Sequence, residues 1–135
     1  FNNATDRRLA RLMLAEAERR AEISGDILDL HFVYSEMIKT YYRDRDNDPE
    51  ALDGAISVCE KQIKLGPQAA LAWWKEYPRD EVLPAHKGFN QLRVIRDKQK
   101  DYDEAIRVCK EAMAQGWAGR WETDILKLET KRSKT

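Results

Sequence analysis

Two histidines stand out in this 135-residue chain because their residue type and placement could support chemistry. His31 and His86 are the only histidines, and each stands near the start of a predicted helix. A neutral imidazole can bind a metal or act as a general base, with Glu36 or Asp97 as its carboxylate partner. However, no thiol or carboxylate joins the pair at ligand spacing, and zinc requires three or four donors. We therefore favour helix-start hydrogen bonding or packing and predict no metal or cofactor.

The acidic segment 44–48, DRDND, resembles the start of a calcium-binding loop. Such a loop needs a glycine at its sharp turn and a bidentate glutamate at its last ligand position. Pro49 and Ala55 occupy those two positions here. We therefore interpret the segment as a solvated turn in which Asp48 caps the next helix.

No other catalytic signature is recognisable in the sequence. It contains no nucleophile elbow, phosphate-binding loop, metalloprotease zinc motif or dinucleotide-binding fingerprint. The two cysteines, Cys59 and Cys109, are too few for a disulfide scaffold and form no C-x-x-C pair. Both fall on apolar faces of predicted helices, so we expect small buried side chains in a reduced, cytoplasmic protein. The sequence thus predicts no enzymatic activity, with an enzyme subdomain using histidine and carboxylate chemistry as the alternative.

Composition indicates one globular domain without a strong electrostatic preference. The chain has 24 basic and 24 acidic residues, 36% charged residues and 42% hydrophobic ones. Because the nucleic-acid backbone favours a basic excess, zero net charge argues against a dedicated nucleic-acid binder. Weak binding through Arg7, Arg8, Arg11 and the basic tail 131–135 remains an alternative. No apolar run is long enough to span a membrane, and because the chain begins with Phe1 it could be a fragment.

Helices are predicted throughout, so the expected fold class is all-α. Proline and glycine stand mainly between apolar-periodic segments, and the alternation typical of strands is absent. About six or seven helices are expected, at 5–23, 27–43, from Asp48-Pro49-Glu50 to Gly66-Pro67, 68–76, 84–98, from Asp101 to Gly116, and 119–132. The first should bury a stripe formed by Leu9, Leu12, Met13 and Ala17.

An internal repeat connects the two halves of the chain. The sequence AISVC at 55–59 recurs as AIRVC at 105–109, at an offset of 50. The helices that precede these segments align at an offset of 55, which sets His31 on His86. The difference in offset corresponds to a longer turn in the first unit. The sequence therefore predicts two copies of a helix-turn-helix hairpin.

The second unit, GFNQLRVIRDKQKDYDEAIRVCKEAMAQG, resembles a tetratricopeptide repeat. At the core positions of that repeat stand Phe89, Leu92, Ala105, Cys109 and Ala112. In the first unit, the residues that correspond to the first four of these are Tyr34, Met37, Ala55 and Cys59. The first unit also has the closing proline of the family, Pro67. The first unit departs from the family in its longer turn and in Gln62, which replaces a small residue. Ile38 and Arg93 stand where a crossing glycine is common, so the pair is divergent.

The resemblance implies a single domain, 1–135, built as a short α-solenoid of stacked antiparallel hairpins. Two hairpins alone cannot cover their own faces, so capping helices are expected at both ends. The implied parts are an N-terminal capping helix (5–25), hairpin 1 (27–66), an inserted connector (67–83), hairpin 2 (84–116) and a C-terminal capping helix with the basic tail (117–135).

In tetratricopeptide-like modules, outward residues of each hairpin's first helix line a ligand groove. By alignment these are Phe32, Ser35, Lys39 and Tyr42, followed by Lys87, Asn90, Val94 and Asp97. The set is polar with aromatic ends and lacks the lysine/asparagine clamp of some members, because Ser35 and Lys39 occupy those positions. The resemblance thus implies a non-catalytic module that binds a peptide or protein partner in a shallow groove. An ordinary solvated face without a ligand is the alternative.

Trp73 and Trp74 are candidates for a second contact surface. Adjacent side chains on a helix point about 100° apart, so one buried stripe does not cover both. Large exposed aromatic residues commonly mark binding sites, and such a site could support a homo-oligomer. The alternative is that the segment folds back and uses both rings in packing, so their burial stays open.

Overall fold

The computed structural model describes residues 4–135, which form six helices and two short strands. Phe1 lies outside the described residues. The helices are α1 (Ala4–Ser24), α2 (Ile27–Arg43), α3 (Ala51–Glu76), α4 (Lys87–Lys98), α5 (Tyr102–Gln115) and α6 (Trp121–Ser133). The strands are β1 (Leu83–Ala85) and β2 (Trp117–Ala118). Over this part of the chain, no helix combines the length and apolar character needed to cross a membrane.

Aspartate side chains cap the first turns of α2 and α5. An Asp26 carboxylate oxygen accepts the backbone N–H of Asp29 at 3.0 Å at the start of α2, and Asp101 accepts that of Glu104 at 3.3 Å in α5. These bonds satisfy backbone donors that have no partner within the helix. Gly116 ends α5 with a φ of 89°, which glycine adopts without steric cost.

Each helix packs against the next along the chain, and α2 also contacts α4. The apolar core runs through these contacts, and its largest contribution from α4 is Phe89, which is completely buried. Both cysteines are free and buried, as predicted. Burial raises the pKa of the Cys59 thiol to about 12 and that of Cys109 to about 11, so both stay uncharged at neutral pH.

Helix α3 continues through Gly66 and Pro67, so the predicted helix end at these residues is wrong. Residues 68–76 extend the same helix and contribute apolar side chains that pack on the core. These are Ala69, Ala70, Trp73 and Trp74. Their burial offsets the backbone hydrogen bond that an internal proline removes. Gly66 permits close packing instead of ending the helix, since a Cβ atom there would overlap the Gln115 side chain.

The predicted connector 67–83 and the predicted helix start at 84 need correction as well. Only residues 77–82 separate α3 from β1, and α4 begins at Lys87. Strands β1 and β2 pair in parallel, with Leu83 opposite Trp117. Strands of three and two residues are too short to carry a recognisable alternation, which is why the sequence pattern did not predict them.

The apolar stripe predicted to be buried on α1 is also wrong, because Leu9, Leu12 and Met13 are exposed. The helix turns a different face towards the core, on which Leu14 and Ala21 pack. A long-range ion pair helps to select this face. It joins Arg11 on α1 to Asp48, which lies 37 residues further along the chain.

The acidic segment 44–48 is a docking point for α1 and is not a fully solvated turn. Arg11 approaches an Asp48 oxygen at 2.6 Å and an Asp44 oxygen at 3.6 Å, and Asp44 is only 3% exposed. The predicted Asp48 cap is wrong, because Glu50 is the N-cap of α3 and no side chain caps this helix. The second Asp48 oxygen accepts the backbone N–H of Glu50 at 2.9 Å, just before the helix. This backbone hydrogen bond, together with Arg11, lowers the pKa of Asp48. Two acids of the segment therefore bind a cation of the chain itself.

The continuity of α3 predicts that Pro67→Ala stabilises the protein. Alanine restores a backbone donor inside the helix, so we expect the free energy of unfolding to rise by about 1–2 kcal/mol. Urea denaturation followed by far-ultraviolet circular dichroism measures the change. Pro49→Ala is the matched control, because Pro49 precedes α3 and should show no comparable gain. An unchanged or lower stability of Pro67→Ala would contradict a continuous α3.

Candidate functional site

The candidate site is the face shared by α2 and α4, which lie side by side. Near the beginning of both helices, the rings of His31 and His86 are 5.2 Å apart. Near their ends, Lys98 Nζ donates to the Tyr42 hydroxyl at 3.1 Å. Because both pairs join corresponding ends, α2 and α4 run in the same direction. The offset of 55 in the sequence aligns His31 with His86, and these two residues are neighbours in the structure.

The eight residues predicted to line a groove are placed on these two helices with mixed exposure. Phe32 and Lys39 on α2 are exposed, Phe32 with 47% of its surface accessible. The other six are half-buried: Ser35, Tyr42, Lys87, Asn90, Val94 and Asp97. Half-buried side chains lie between the core and the solvent, where a ligand can reach them. The side chains at these eight positions are therefore accessible to solvent.

Several of the same residues already have partners within the chain. Lys39 Nζ lies 3.4 Å from a Glu36 oxygen, and Lys131 on α6 contacts both Asp97 oxygens at 2.9 Å. The Asn90 amide donates to a backbone oxygen at the start of α4. Exposed ion pairs contribute little free energy, so a ligand could displace Lys39 at small cost. Asp97 is less available, because α6 places a cation directly on it.

A completely buried glutamine joins three helices beneath this face. Gln62 on α3 donates through Nε2 to the His31 backbone oxygen at 2.9 Å and to Ser35 Oγ at 2.7 Å. Its Oε1 accepts the Gly88 backbone N–H at 2.7 Å. The donor and acceptor atoms of the side-chain amide are all oriented towards complementary groups. Gln62 therefore ties α3 to α2 on one side and to α4 on the other.

Gly88 permits this contact because it lacks a Cβ atom. A Cβ at this position would lie 2.8 Å from Gln62 Oε1 and 3.1 Å from the backbone oxygen of Cys59. The first distance is shorter than real Cβ contacts and the second is tighter than most, so the Gln62 amide or the helix backbone would have to shift. The first turn of α4 can thus lie directly on α3, where Gln62 also contacts α2.

The two histidines form a buried ring cluster with Trp117. The indole stacks on His31 at 5.5 Å and meets His86 at 4.8 Å edge to face. His86 Nδ1 accepts the Phe89 backbone N–H, so Nε2 carries the hydrogen of the neutral ring. Burial lowers the pKa of His31 to about 4 and that of His86 to about 3. Packing and helix-start hydrogen bonding, the favoured interpretation, are confirmed.

The carboxylates considered as catalytic partners do not join this ring cluster. Among the contacts of residues 4–135, Glu36 pairs with Lys39, Asp97 pairs with Lys131, and neither binds an imidazole. The same residues contain no group of three or more histidines, cysteines or acids that could hold a metal ion. The geometry therefore does not assemble the acid–base set that the alternative required.

Trp73 and Trp74 are both half-buried and pack against the core. Trp73 also donates through Nε1 to Asp80 at 3.1 Å. Its ring lies 4.4 Å from Tyr77 and 6.4 Å from Phe32. Trp73 therefore packs on one side and forms part of a small aromatic surface on the other, next to the beginning of α2.

Three of the cations considered for nucleic-acid binding already form ion pairs within the chain. Arg11 binds Asp48, and Arg132 of the basic tail approaches Asp103 at 2.7 Å. Lys131 lies on Asp97. These pairs reduce the positive charge that the two ends of the chain present to a phosphate backbone.

Sequence reasoning missed three residues that organise the face. In the sequence, Gln62 stands out only because it replaces the small residue of the repeat, and this replacement is the signal that could have indicated its role. Arg45 and Lys98 were not selected, although both lie against the Tyr42 ring, at 4.1 Å and 5.8 Å from its centroid. Lys98 reaches Tyr42 through tertiary packing across 56 positions, whereas Arg45 follows Tyr42 by three residues in the turn after α2.

A scan against protein-family models finds no matching family, and searches of curated proteins and of solved structures find no match. The tetratricopeptide resemblance therefore stays a prediction.

The buried amide predicts a large effect of Gln62→Met. Methionine fills similar space but leaves the Gly88 N–H and the His31 carbonyl without this partner, so we expect a loss of about 2 kcal/mol or more. Gln68→Met, at an exposed position of the same helix, should change stability by less than about 0.5 kcal/mol. Urea denaturation compares the two variants. Equal stabilities would show that the Gln62 hydrogen bonds contribute nothing.

The ring cluster predicts a loss of stability in acid. An unfolded histidine titrates near pH 6.5, whereas His31 and His86 do so at about 4 and about 3 when folded. Unfolding therefore takes up protons below about pH 6.5. The stability that the two neutral imidazoles contribute is fully present above that pH and falls progressively below it. Each histidine should contribute a slope approaching about 1.4 kcal/mol per pH unit.

The measurement is the free energy of unfolding between about pH 5 and 7, before most carboxylates titrate. His31→Phe keeps an aromatic ring against Trp117 and should halve the slope. A slope unchanged by this substitution would contradict the burial of a neutral imidazole at position 31.

Proposed function

We propose that this protein is a non-catalytic cytoplasmic interaction module that binds a peptide segment of a protein partner along the face between α2 and α4. The single observation that carries the proposal is the parallel pairing of these helices, joined at one end by His31 and His86 and at the other by Tyr42 and Lys98. The pairing makes a continuous strip of accessible side chains, which suits an extended segment.

In this proposal, α2 with α3 and α4 with α5 are two stacked tetratricopeptide-like hairpins. Packing of each helix on its chain neighbour and the additional contact of α2 with α4 support the arrangement. Helices α1 and α6 then cover the two ends, as caps do in a repeat array. The first helices of both hairpins lie on one side of the molecule, where together they form the groove.

The chemistry of the strip favours a mixed polar and apolar segment. Exposed Phe32 at the beginning offers an apolar anchor, and the Trp73 ring next to it enlarges that surface. Lys87, the first residue of α4, offers a cation at the same end, and Lys39 on α2 offers one further along the strip. Aromatic side chains that become buried on binding commonly supply most of the free energy, whereas exposed charges mainly select the partner. We therefore expect Phe32 to dominate affinity.

Selection of displayed random peptides on the purified protein tests the proposal. A groove variant combining Phe32→Ala, Lys39→Ala and Lys87→Ala should bind the selected peptides at least about tenfold more weakly. A matched control variant combines Ser57→Ala, Lys64→Ala and Lys110→Ala at exposed positions of α3 and α5 and should retain affinity. Circular dichroism verifies that both variants are folded.

Two outcomes would contradict the proposed groove. One is a set of selected peptides that bind the wild type, the groove variant and the control variant equally. The other is equal weakening by the groove and control substitutions, which would indicate a general effect on the fold.

A further inference from the structure

A cavity of about 370 Å³ opens where the turn after α2 meets the end of α4. Its polar wall is formed by Tyr42, Arg45 and Lys98, with Asp46 also on the rim, and its apolar wall contains Leu52 and Ile95. The cavity is large enough for a small organic molecule or for one side chain. It brings together α2, α3 and α4, the same helices that the Gln62 hydrogen bonds hold in place.

The polar wall presents two cations without acidic partners. Arg45 stacks on the Tyr42 ring at 4.1 Å and donates to the Tyr42 backbone oxygen at 2.9 Å. Lys98 donates to the Tyr42 hydroxyl at 3.1 Å. Across the described residues, neither cation has a carboxylate within 4.0 Å, although Asp46 lines the same cavity. The phenol accepts from Lys98, so its own hydrogen is available to an incoming acceptor.

The apolar wall sets a second requirement for a ligand of this cavity. Ile95 is almost completely buried and belongs to the core, and Leu52 is half-buried beside it. Burying aliphatic carbon against such a surface is favourable, whereas a fully hydrated inorganic anion would gain nothing from it. A matching ligand therefore carries one negative head next to a short hydrocarbon group.

We propose that this cavity binds a small aliphatic carboxylate. Its head lies among the Lys98 ammonium, the Arg45 guanidinium and the Tyr42 hydroxyl, and its hydrocarbon part lies on Leu52 and Ile95. Charge-assisted hydrogen bonds from an ammonium and a guanidinium are the strong interactions available to a carboxylate. The site adjoins the end of the proposed groove and shares Tyr42 with it, but it does not depend on the groove function, because the lining of the cavity is complete without a peptide partner.

Nuclear magnetic resonance titration of the full chain with 4-methylpentanoate tests the site. We expect saturable amide shifts centred on Tyr42, Leu52 and Lys98, with a dissociation constant of the order of 1 mM for a ligand of this size. Acetate should bind about tenfold more weakly because it lacks the hydrocarbon group, and 4-methylpentanol should show a similar loss because it lacks the charge.

Matched substitutions separate the site from nonspecific attraction. Lys98→Met should weaken 4-methylpentanoate binding about tenfold, and Tyr42→Phe should weaken it while keeping the ring on which Arg45 stacks. Lys100→Met removes a nearby exposed cation that does not line the cavity and should leave binding unchanged. The same titration on the Phe32, Lys39 and Lys87 groove variant should also be unchanged.

Three results would overturn the inference. These are the absence of saturable shifts at about 20 mM ligand, equal binding of the acid and the alcohol, and equal effects of Lys98→Met and Lys100→Met. Loss of acid binding in the groove variant would show that the cavity is not independent of the groove. Failure of the peptide selection together with normal 4-methylpentanoate binding would reject the groove function and leave the carboxylate site standing.

Discussion

The arrangement of the central helices depends on one buried side-chain amide. Gln62 donates two hydrogen bonds to α2, at the His31 backbone oxygen and Ser35 Oγ, and accepts one from the Gly88 N–H of α4. An amide buried without these partners would be strongly unfavourable, so the three helices have to keep positions that satisfy it. A hydrophobic contact tolerates sliding, whereas these directional bonds select one register. The face shared by α2 and α4 follows from that register.

The same register explains why the histidines serve the structure. With α4 held against α3, His86 begins α4 beside His31, and Trp117 packs on both rings. Trp117 reaches them because its short strand pairs with Leu83 immediately before α4. The imidazoles are thereby removed from water and remain neutral. Both rings pack against Trp117, and the His86 ring also caps α4.

Apolar periodicity predicted most of the helices because the buried residues of one helix recur at a regular spacing in the sequence. It failed where a distant contact decided the outcome. Pro67 looks like a helix end, but the tryptophans that follow it pack on the core and keep α3 continuous. Likewise, the rotation of α1 depends on Arg11 reaching Asp48 across 37 positions, so its local apolar stripe was misleading. The eight predicted groove residues lie on α2 and α4 and are exposed or half-buried, whereas Lys98 joins Tyr42 only through tertiary packing.

Gln62 holds α4 in place by accepting the Gly88 N–H. Amide hydrogen exchange at Gly88 tests it most directly, because a first-turn amide has no partner within its helix and normally exchanges rapidly. Asp103 occupies the equivalent position in α5 and provides the comparison. We expect Gly88 to exchange far more slowly than Asp103, with a protection that approaches that of the core. Equally rapid exchange at the two amides would contradict it.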